Sequence, residues 1–111
     1  MPKDMKFSLL LDFYGALLTD KQASALDGYY NQDLSLAEIA DEMGISRQGV
    51  MAFIKQGERH LCQFEEKLGL AGRFADISSG ITEMKDIAHN MAPEDERKRL
   101  MRLIDKISAI I

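Results

Sequence analysis

Apolar residues recur at steps of three and four along most of the chain, a spacing that places them on one side of an α-helix. One such stripe runs from Phe7 to Leu18, the next carries Ala23 and Leu26, and the last runs from Leu100 to Ile107. The sequence lacks the strict alternation of apolar and polar positions that marks a strand. The pattern therefore predicts an all-α fold of five to six helices.

Capping residues indicate where the first helices begin and end. Thr19 with Gln22, and Ser35 with Glu38, fit the capping box, in which each side chain accepts a hydrogen bond from the other residue's backbone N–H. Gly44 ends the helix that follows Ser35, because glycine adopts the left-handed conformation at little cost.

Ser46 caps a long helix predicted from about residue 47 to residue 68, and Gly69 and Gly72 mark the break after it. Gly57 is its weak point, at a cost of about 1 kcal/mol against alanine. An a/d-type seam of alternating steps runs along it: Val50, Ile54, Gly57, Leu61, Phe64 and Leu68. Beyond its first part, this seam can pack against the C-terminal helices or against a second copy of the chain.

A C-terminal pair of helices is predicted over about residues 77–111. The first carries the stripe Ile77, Ile81, Met84, Ala88 and Met91. The second begins at Pro93, and the acids at 94–96 suit the positive end of its dipole. The whole is predicted as one helical domain over residues 1–111, with a helix-turn-helix unit at about 19–57.

The helix-turn-helix prediction rests on residues 33–50, DLSLAEIADEMGISRQGV. Gly44 makes the turn, Ala40 is the small residue where the two helices approach, and apolar residues flank both. The predicted core is Ile39, Ala40, Met43, Gly44, Ile45, Val50 and Phe53. Each position has its own packing reason, which makes the pattern more specific than a lone glycine motif.

The opposite face of the second helix of this motif is polar and mildly basic. Arginine bonds bidentately to guanine and glutamine to adenine in the major groove, whereas lysine and a helix N-terminus suit phosphates. The predicted DNA-binding residues are Ser46, Arg47, Gln48, Met51, Ala52, Lys55 and Arg59. Three basic residues stand against one acid, Glu58, between Ser46 and His60. Because Gly49, Met51 and Ala52 are poor base readers, the alternative is a helix-turn-helix that serves only as a protein-packing scaffold.

Charge and composition narrow the possible chemistry. The net charge of −4 argues against non-specific coating of nucleic acid but leaves open binding by one face. The single cysteine, Cys62, suits the cytosol, and no apolar run reaches the length of a membrane-spanning helix. His60 and His89 lack partners at metal-ligand spacing, and the sequence has neither a catalytic triad nor a phosphate-binding loop. We therefore predict a protein that is not an enzyme and uses no metal or cofactor.

The stretch from about Leu11 to Leu70 resembles the YlxM family of small bacterial helix-turn-helix proteins. The resemblance lies in DFYGALLTDKQ before the motif, YY-x-x-D-L-S-L-x-E-I-A within it, and SRQ-x-V and EKLGL after it. The part from LT-x-x-Q to SRQ-x-V is also loosely similar to the promoter-reading region of bacterial sigma factors. The family's usual alanine and tyrosine after SRQ are Gly49 and Met51 here, so a base contact by that tyrosine is absent.

This resemblance implies a cytoplasmic bacterial regulatory protein without enzymatic activity, connected by gene neighbourhood with the targeting GTPase to the signal recognition particle pathway. We therefore predict a DNA-binding regulator, and a homodimer would let two recognition helices meet half-sites about 34 Å apart. The alternative is an interaction module that binds a protein or RNA component of the signal recognition particle and reads no DNA sequence.

Overall fold

Six α-helices make up most of the chain in a computed structural model that describes residues 3–91 and 93–110. They are α1 (Lys6–Tyr14), α2 (Asp20–Leu26), α3 (Leu36–Met43), α4 (Arg47–Leu68), α5 (Leu70–Met91) and α6 (Glu94–Ile110). A 3₁₀ turn, Gly15–Leu17, follows α1, and a π-helical turn, Asp27–Asn31, follows α2. The described residues contain no strand, and the predicted all-α fold is confirmed.

Backbone contacts divide the chain into two compact units, Met1–Ala71 and Gly72–Ile111, here called the N-terminal unit and the C-terminal hairpin. The prediction of one helical domain over residues 1–111 stays a prediction. In neither unit is any described helix long and apolar enough to cross a membrane.

In the N-terminal unit, α1, α2 and α3 pack around α4. Its core consists of buried apolar residues from these four helices, from the turns after α1 and α2, and from the start of α5: Leu10, Tyr14, Leu18, Ala25, Leu26, Tyr30, Ile39, Ala40, Val50, Ile54, Leu61 and Ala71. The α4 seam faces this core as far as Leu61, and the ring of Phe64 lies 5.9 Å from that of Tyr14. As far as Phe64, the seam therefore packs within the N-terminal unit, and Leu68 at its end is exposed; packing of this last part against the C-terminal helices or a second copy stays a prediction.

Gly57 lies where α4 passes against α2. A Cβ atom built on it would be 2.5 Å from Leu26 Cδ1, although Leu26 itself is fully buried. Carbon atoms do not approach that closely, so a side chain at this position would force Leu26 to shift within the packed core. The residue that looked like a weak point in the sequence is the point of close contact between α2 and α4.

Local capping signals account for most helix ends. Thr19 Oγ1 accepts from Gln22 N (3.2 Å) and Ser35 Oγ accepts from Glu38 N (3.1 Å), so both capping boxes form as the sequence indicates. Gly69 ends α4 in the left-handed conformation, with φ of 63°.

The start of α5 differs from the prediction. It begins at Leu70, directly after Gly69, instead of beyond Gly72 near residue 77. The first N–H groups of a helix need acceptors, and here Leu70 N donates to Tyr14 Oη (2.9 Å) and Ala71 N to Glu65 Oε1 (3.0 Å). Side chains of α1 and α4 thus supply the cap that the local sequence lacks.

The C-terminal hairpin consists of the rest of α5 and of α6, which starts directly after Pro93. Its buried core is small: Ile81, Ala88 and Ile104, with Met101 packed against them. Lys85 Nζ lies 3.5 Å from Asp105 Oδ1, as expected for antiparallel helices joined by a short turn.

Candidate nucleic-acid interface

A left-handed glycine joins α3 to α4. Gly44 has φ of 67° and ψ of 34°, and its N–H and that of Ile45 both donate to the carbonyl of Ala40. No atom lies within 4 Å of a Cβ built on Gly44, so the backbone conformation rather than crowding favours glycine here. Ser46 then caps α4 only two residues later, which makes the turn short.

The seven residues predicted as the helix-turn-helix core lie around this turn. Ile39, Ala40 and Val50 are buried, and three half-buried residues pack against the same core: Met43, Ile45 and Phe53. Gly44 is exposed at the turn itself. This packing sets which side of α4 faces solvent.

The N-terminus of α4 keeps backbone donors available. Ser46 Oγ accepts from Gly49 N at 3.0 Å, and Val50 N donates to the Ser46 carbonyl. Within residues 3–91 and 93–110, no acceptor takes the N–H of Arg47 or Gln48. These two N–H groups and the positive end of the helix dipole can therefore bind an external anion.

The side chains predicted to contact DNA share one face of α4. At 100° per residue, those from Arg47 to Arg59 fall within an arc of about 140°. Arg47, Gln48, Ala52, Lys55 and Arg59 are exposed, as is Ser46 at the cap. Met51 lies within this arc but is half-buried.

Glu58, the one acid that the sequence places between Ser46 and His60, lies within the same arc of α4, but its side chain is not an exposed charge. It is half-buried, and its Oε1 accepts from the hydroxyl of Tyr30 at 2.8 Å. Burial, and then this hydrogen bond, raise the pKa of Tyr30. Between Ser46 and His60, the face therefore presents Arg47, Lys55 and Arg59 as exposed charges, whereas the carboxylate of Glu58 is held by Tyr30.

These three cations are available to a ligand. The ion pairs of the described ranges involve Lys3, Lys6, Lys85 and Lys98, and none involves Arg47, Lys55 or Arg59. The surroundings are acidic, however. Residues 1–71 contain seven Lys and Arg against eleven Asp and Glu, and α3 exposes Glu38, Asp41 and Glu42. The result is a local cationic face on an acidic unit.

Two tyrosine–glutamate hydrogen bonds fix the rotation of α4 about its axis. They were not predicted from the sequence. Tyr30 bonds Glu58, and the hydroxyl of the buried Tyr14 donates to Glu65 Oε1 at 2.5 Å. Glu58 and Glu65 are seven residues apart and thus lie on one side of α4, beside the apolar seam. That spacing was the available signal for paired acids facing inward.

The described ranges contain no group of three His, Cys, Asp or Glu side chains placed to hold a metal ion. His60 instead contacts Gln22, with Nδ1 at 3.3 Å from Oε1, and Cys62 is exposed.

Comparison with known proteins identifies relatives along almost the full length. Residues 1–103 match the UPF0122 family, described as "Putative helix-turn-helix protein, YlxM / p13 like". A UPF0122 protein of Acetivibrio thermocellus is 45% identical over 116 aligned positions, covering 100% of this chain and 98% of the relative. The UPF0122 protein YlxM of Bacillus subtilis is 38% identical over 107 positions, covering 96% and 97%. The chain therefore belongs to the UPF0122 family of YlxM- and p13-like proteins, as its resemblance indicated.

Proposed function

We propose that the protein is a DNA-binding regulator that inserts the N-terminal half of α4 into the major groove. The observation that carries this proposal is the exposed cationic face of α4, whose Arg47, Lys55 and Arg59 form no ion pair in the described residues, directly after the turn made by the left-handed Gly44. A helix presented in this way suits the major groove, which admits one α-helix and displays a distinct donor and acceptor pattern for each base pair.

Each residue of the face has a role that its chemistry suits. Arg47 and Gln48, in the first turn, are placed for base edges, where they favour guanine and adenine. Met51 and Ala52 offer apolar contact to a thymine methyl group. Lys55 and Arg59, further along, bind backbone phosphates, and so do the Ser46 hydroxyl and the N–H groups at the helix start.

We further propose that the protein acts in the bacterial cytoplasm, in connection with the signal recognition particle pathway, and as a homodimer. The pathway and the location rest on the family resemblance alone. The homodimer follows from the general use of two-fold symmetry by helix-turn-helix proteins.

A second candidate is an interaction module that binds a protein or RNA component of the signal recognition particle without reading DNA. The acidity of the N-terminal unit favours it, because acids on α3 next to the cationic face would repel DNA phosphates. Three exposed cations would also be few for a protein whose affinity comes from phosphate contacts.

Selection of bound DNA from a random pool, followed by gel shift of the selected fragment at low and moderate salt, tests the first candidate. Replacing Arg47 and Lys55 by alanine should weaken binding by at least about tenfold and reduce the salt dependence by about two phosphate contacts. Lys21→Ala with Lys67→Ala is the matched control, since it removes two exposed cations of the same unit that lie outside the face.

Failure to enrich any fragment, or equal losses in the two double variants, would contradict DNA reading by α4. Retention of the chain on the immobilised targeting GTPase or its RNA, undiminished by Arg47→Ala with Lys55→Ala, would instead support the interaction module. If neither component retains the chain, the second candidate is removed.

A further inference from the structure

The C-terminal hairpin leaves a second set of apolar positions uncovered. Its inner side consists of positions that alternate by three and four, with Ile81 and Ala88 buried on α5 and Ile104 buried on α6. One residue before the inner positions of each helix, a second stripe of the same spacing is exposed. On α5 it comprises Ile77, Gly80, Met84, Ile87 and Met91, and on α6 Leu100, Leu103, Ile107 and Ile110.

Both exposed stripes point to the same side of the hairpin. Moving back one residue rotates the position by about 100° around each helix axis. Because the helices are antiparallel, these rotations have opposite senses when viewed from one end. The inner sides of α5 and α6 face each other. Rotating away from them by about 100° in opposite senses brings both exposed stripes to the same side of the hairpin, where they form one surface, here called the apolar side.

The other side of the hairpin is polar, as the same geometry requires. One residue after the inner positions, α5 presents Thr82, Asp86 and His89, and α6 presents Lys98, Arg102 and Asp105. A cleft of about 470 Å³ lies there, lined by His89, Arg97, Lys98, Met101, Arg102 and Asp105. Uncovered apolar surface is thus concentrated on one side instead of being scattered, which marks an interaction surface.

We propose that the apolar side is a homodimer interface, on which the hairpins of two copies pack face to face around a two-fold axis as a four-helix bundle. This arrangement uses helix spacing of the coiled-coil type, which the alternating stripes provide. It does not depend on DNA binding by α4. The α4 seam, in contrast, is buried within the N-terminal unit as far as Leu61.

Size, stability and charge favour a second copy as the occupant. The 17 residues of α6 span about 25 Å, and two helices side by side about 20 Å, so two apolar sides provide on the order of 1,000 Å² of contact. A unit of about 40 residues usually needs a disulfide, a metal or oligomerisation to be stable, and residues 72–111 contain no cysteine. Residues 72–111 carry seven basic and seven acidic side chains, so two hairpins meet without net repulsion.

Sedimentation equilibrium of the full chain without DNA tests this interface. The wild-type protein should have twice the 12.5 kDa mass of one chain. Leu103→Glu with Ile107→Glu places two charges on the apolar side and should raise the dissociation constant by about a hundredfold or more. The control, Thr82→Glu with Ala109→Glu, adds the same charges on the polar side and should leave the dimer intact.

A wild-type monomer would overturn the proposal, whatever other protein the hairpin then binds. A variant with Leu103→Glu and Ile107→Glu that stays dimeric would also overturn it.

Methionine oxidation in the unmodified protein gives an answer that does not require a folded variant. Met84 is 44% exposed and Met5, in the other unit, 57%. In the dimer, Met84 should react much more slowly than Met5 with peroxide and lose this protection on dilution. Equal oxidation of both residues at every concentration would contradict the interface.

Discussion

The two units contain helices of equal length and similar spacing but cover them to very different extents. α4 and α5 each have 22 residues and a stripe of alternating steps. The apolar seam of α4 is fully buried at Val50, Ile54 and Leu61, whereas Met84 and Ile87 on α5 remain about half exposed. Three helices pack around α4 within its own unit, whereas within the C-terminal hairpin α6 packs against α5. An apolar stripe thus predicts which side of a helix packs against a partner, but not which element or chain that partner is.

Polar contacts separate the units in the same way. In the N-terminal unit, tyrosine hydroxyls that are largely shielded from solvent bond Glu58 and Glu65, and such bonds fix the rotation of α4. In the C-terminal hairpin, the charged contact between helices is the exposed pair of Lys85 and Asp105, of a kind that contributes less than about 1 kcal/mol. The polar contacts that hold α4, which carries the proposed DNA-reading face, are therefore stronger than the charged pair that joins α5 to α6.

The largest contrast should appear when the same residue type is truncated in both units. Ile54 is 1% exposed, and Ile54→Ala should lower the free energy of unfolding by about 2–5 kcal/mol, because it leaves a cavity in a packed core. Ile107 is 48% exposed, and Ile107→Ala in dilute protein should cost about 1 kcal/mol or less. Urea unfolding followed by circular dichroism measures both.

Measuring both variants at several protein concentrations separates the effect of burial within one chain from the effect of pairing between two copies. If the apolar side pairs two copies, the cost of Ile107→Ala should rise with protein concentration, while that of Ile54→Ala should not. Equal costs for the two variants in dilute protein would mean that the difference in burial between the units is wrong.

Two glycines inside long helices should respond to alanine with opposite signs. At Gly57 the new methyl group meets Leu26, so Gly57→Ala should destabilise the protein by about 1–3 kcal/mol despite the better helix propensity of alanine. Gly80 has no atom within 4 Å of a built Cβ. Gly80→Ala should therefore raise the free energy of unfolding of the monomer by about 0.5–1 kcal/mol. Thermal unfolding of dilute protein measures both, and stabilisation by Gly57→Ala would refute the close approach of α2 to α4.

Local signals in the sequence account for much of the fold. The capping boxes at Thr19 and Ser35, the left-handed Gly44 and the proline before α6 depend on residues within a few positions, and the observed helix ends agree with them. The face of α4 near Arg47 also follows from spacing alone, because burying Val50 and Ile54 leaves it exposed.

What could not be predicted depends on partners distant in the sequence. α5 starts at Leu70 because Tyr14, 56 residues earlier, accepts its N–H. Glu58 turns inward because Tyr30 lies 28 residues away in the sequence and donates to it. The spacing of Glu58 and Glu65 places both on one side of α4, but no pattern within α4 or α5 identifies the two tyrosines that reach across, and their effect appears only once the helices are packed.

The smallest expected effect concerns the two tyrosines and appears mainly at alkaline pH. Burial, and then the hydrogen bond to Glu65, raise the pKa of Tyr14 above its ordinary value of 10.0, and the pKa of Tyr30 is also raised. Above pH 10 the unfolded chain releases protons that the folded chain keeps, so stability present below pH 10 should be lost as pH rises.

Urea unfolding of wild type and of Tyr14→Phe with Tyr30→Phe, from pH 7 to 11, separates this effect from the titration of lysines. At neutral pH the double variant should unfold at a lower urea concentration, because it lacks two hydrogen bonds to α4 and the acceptor of the Leu70 N–H. Its stability should then fall less steeply above pH 10 than that of wild type, since neither phenylalanine carries a proton to lose. Equally steep curves would mean that these hydroxyls ionise alike in the folded and unfolded chains, and the tyrosine–glutamate pairs would then not be what fixes α4 in the N-terminal unit.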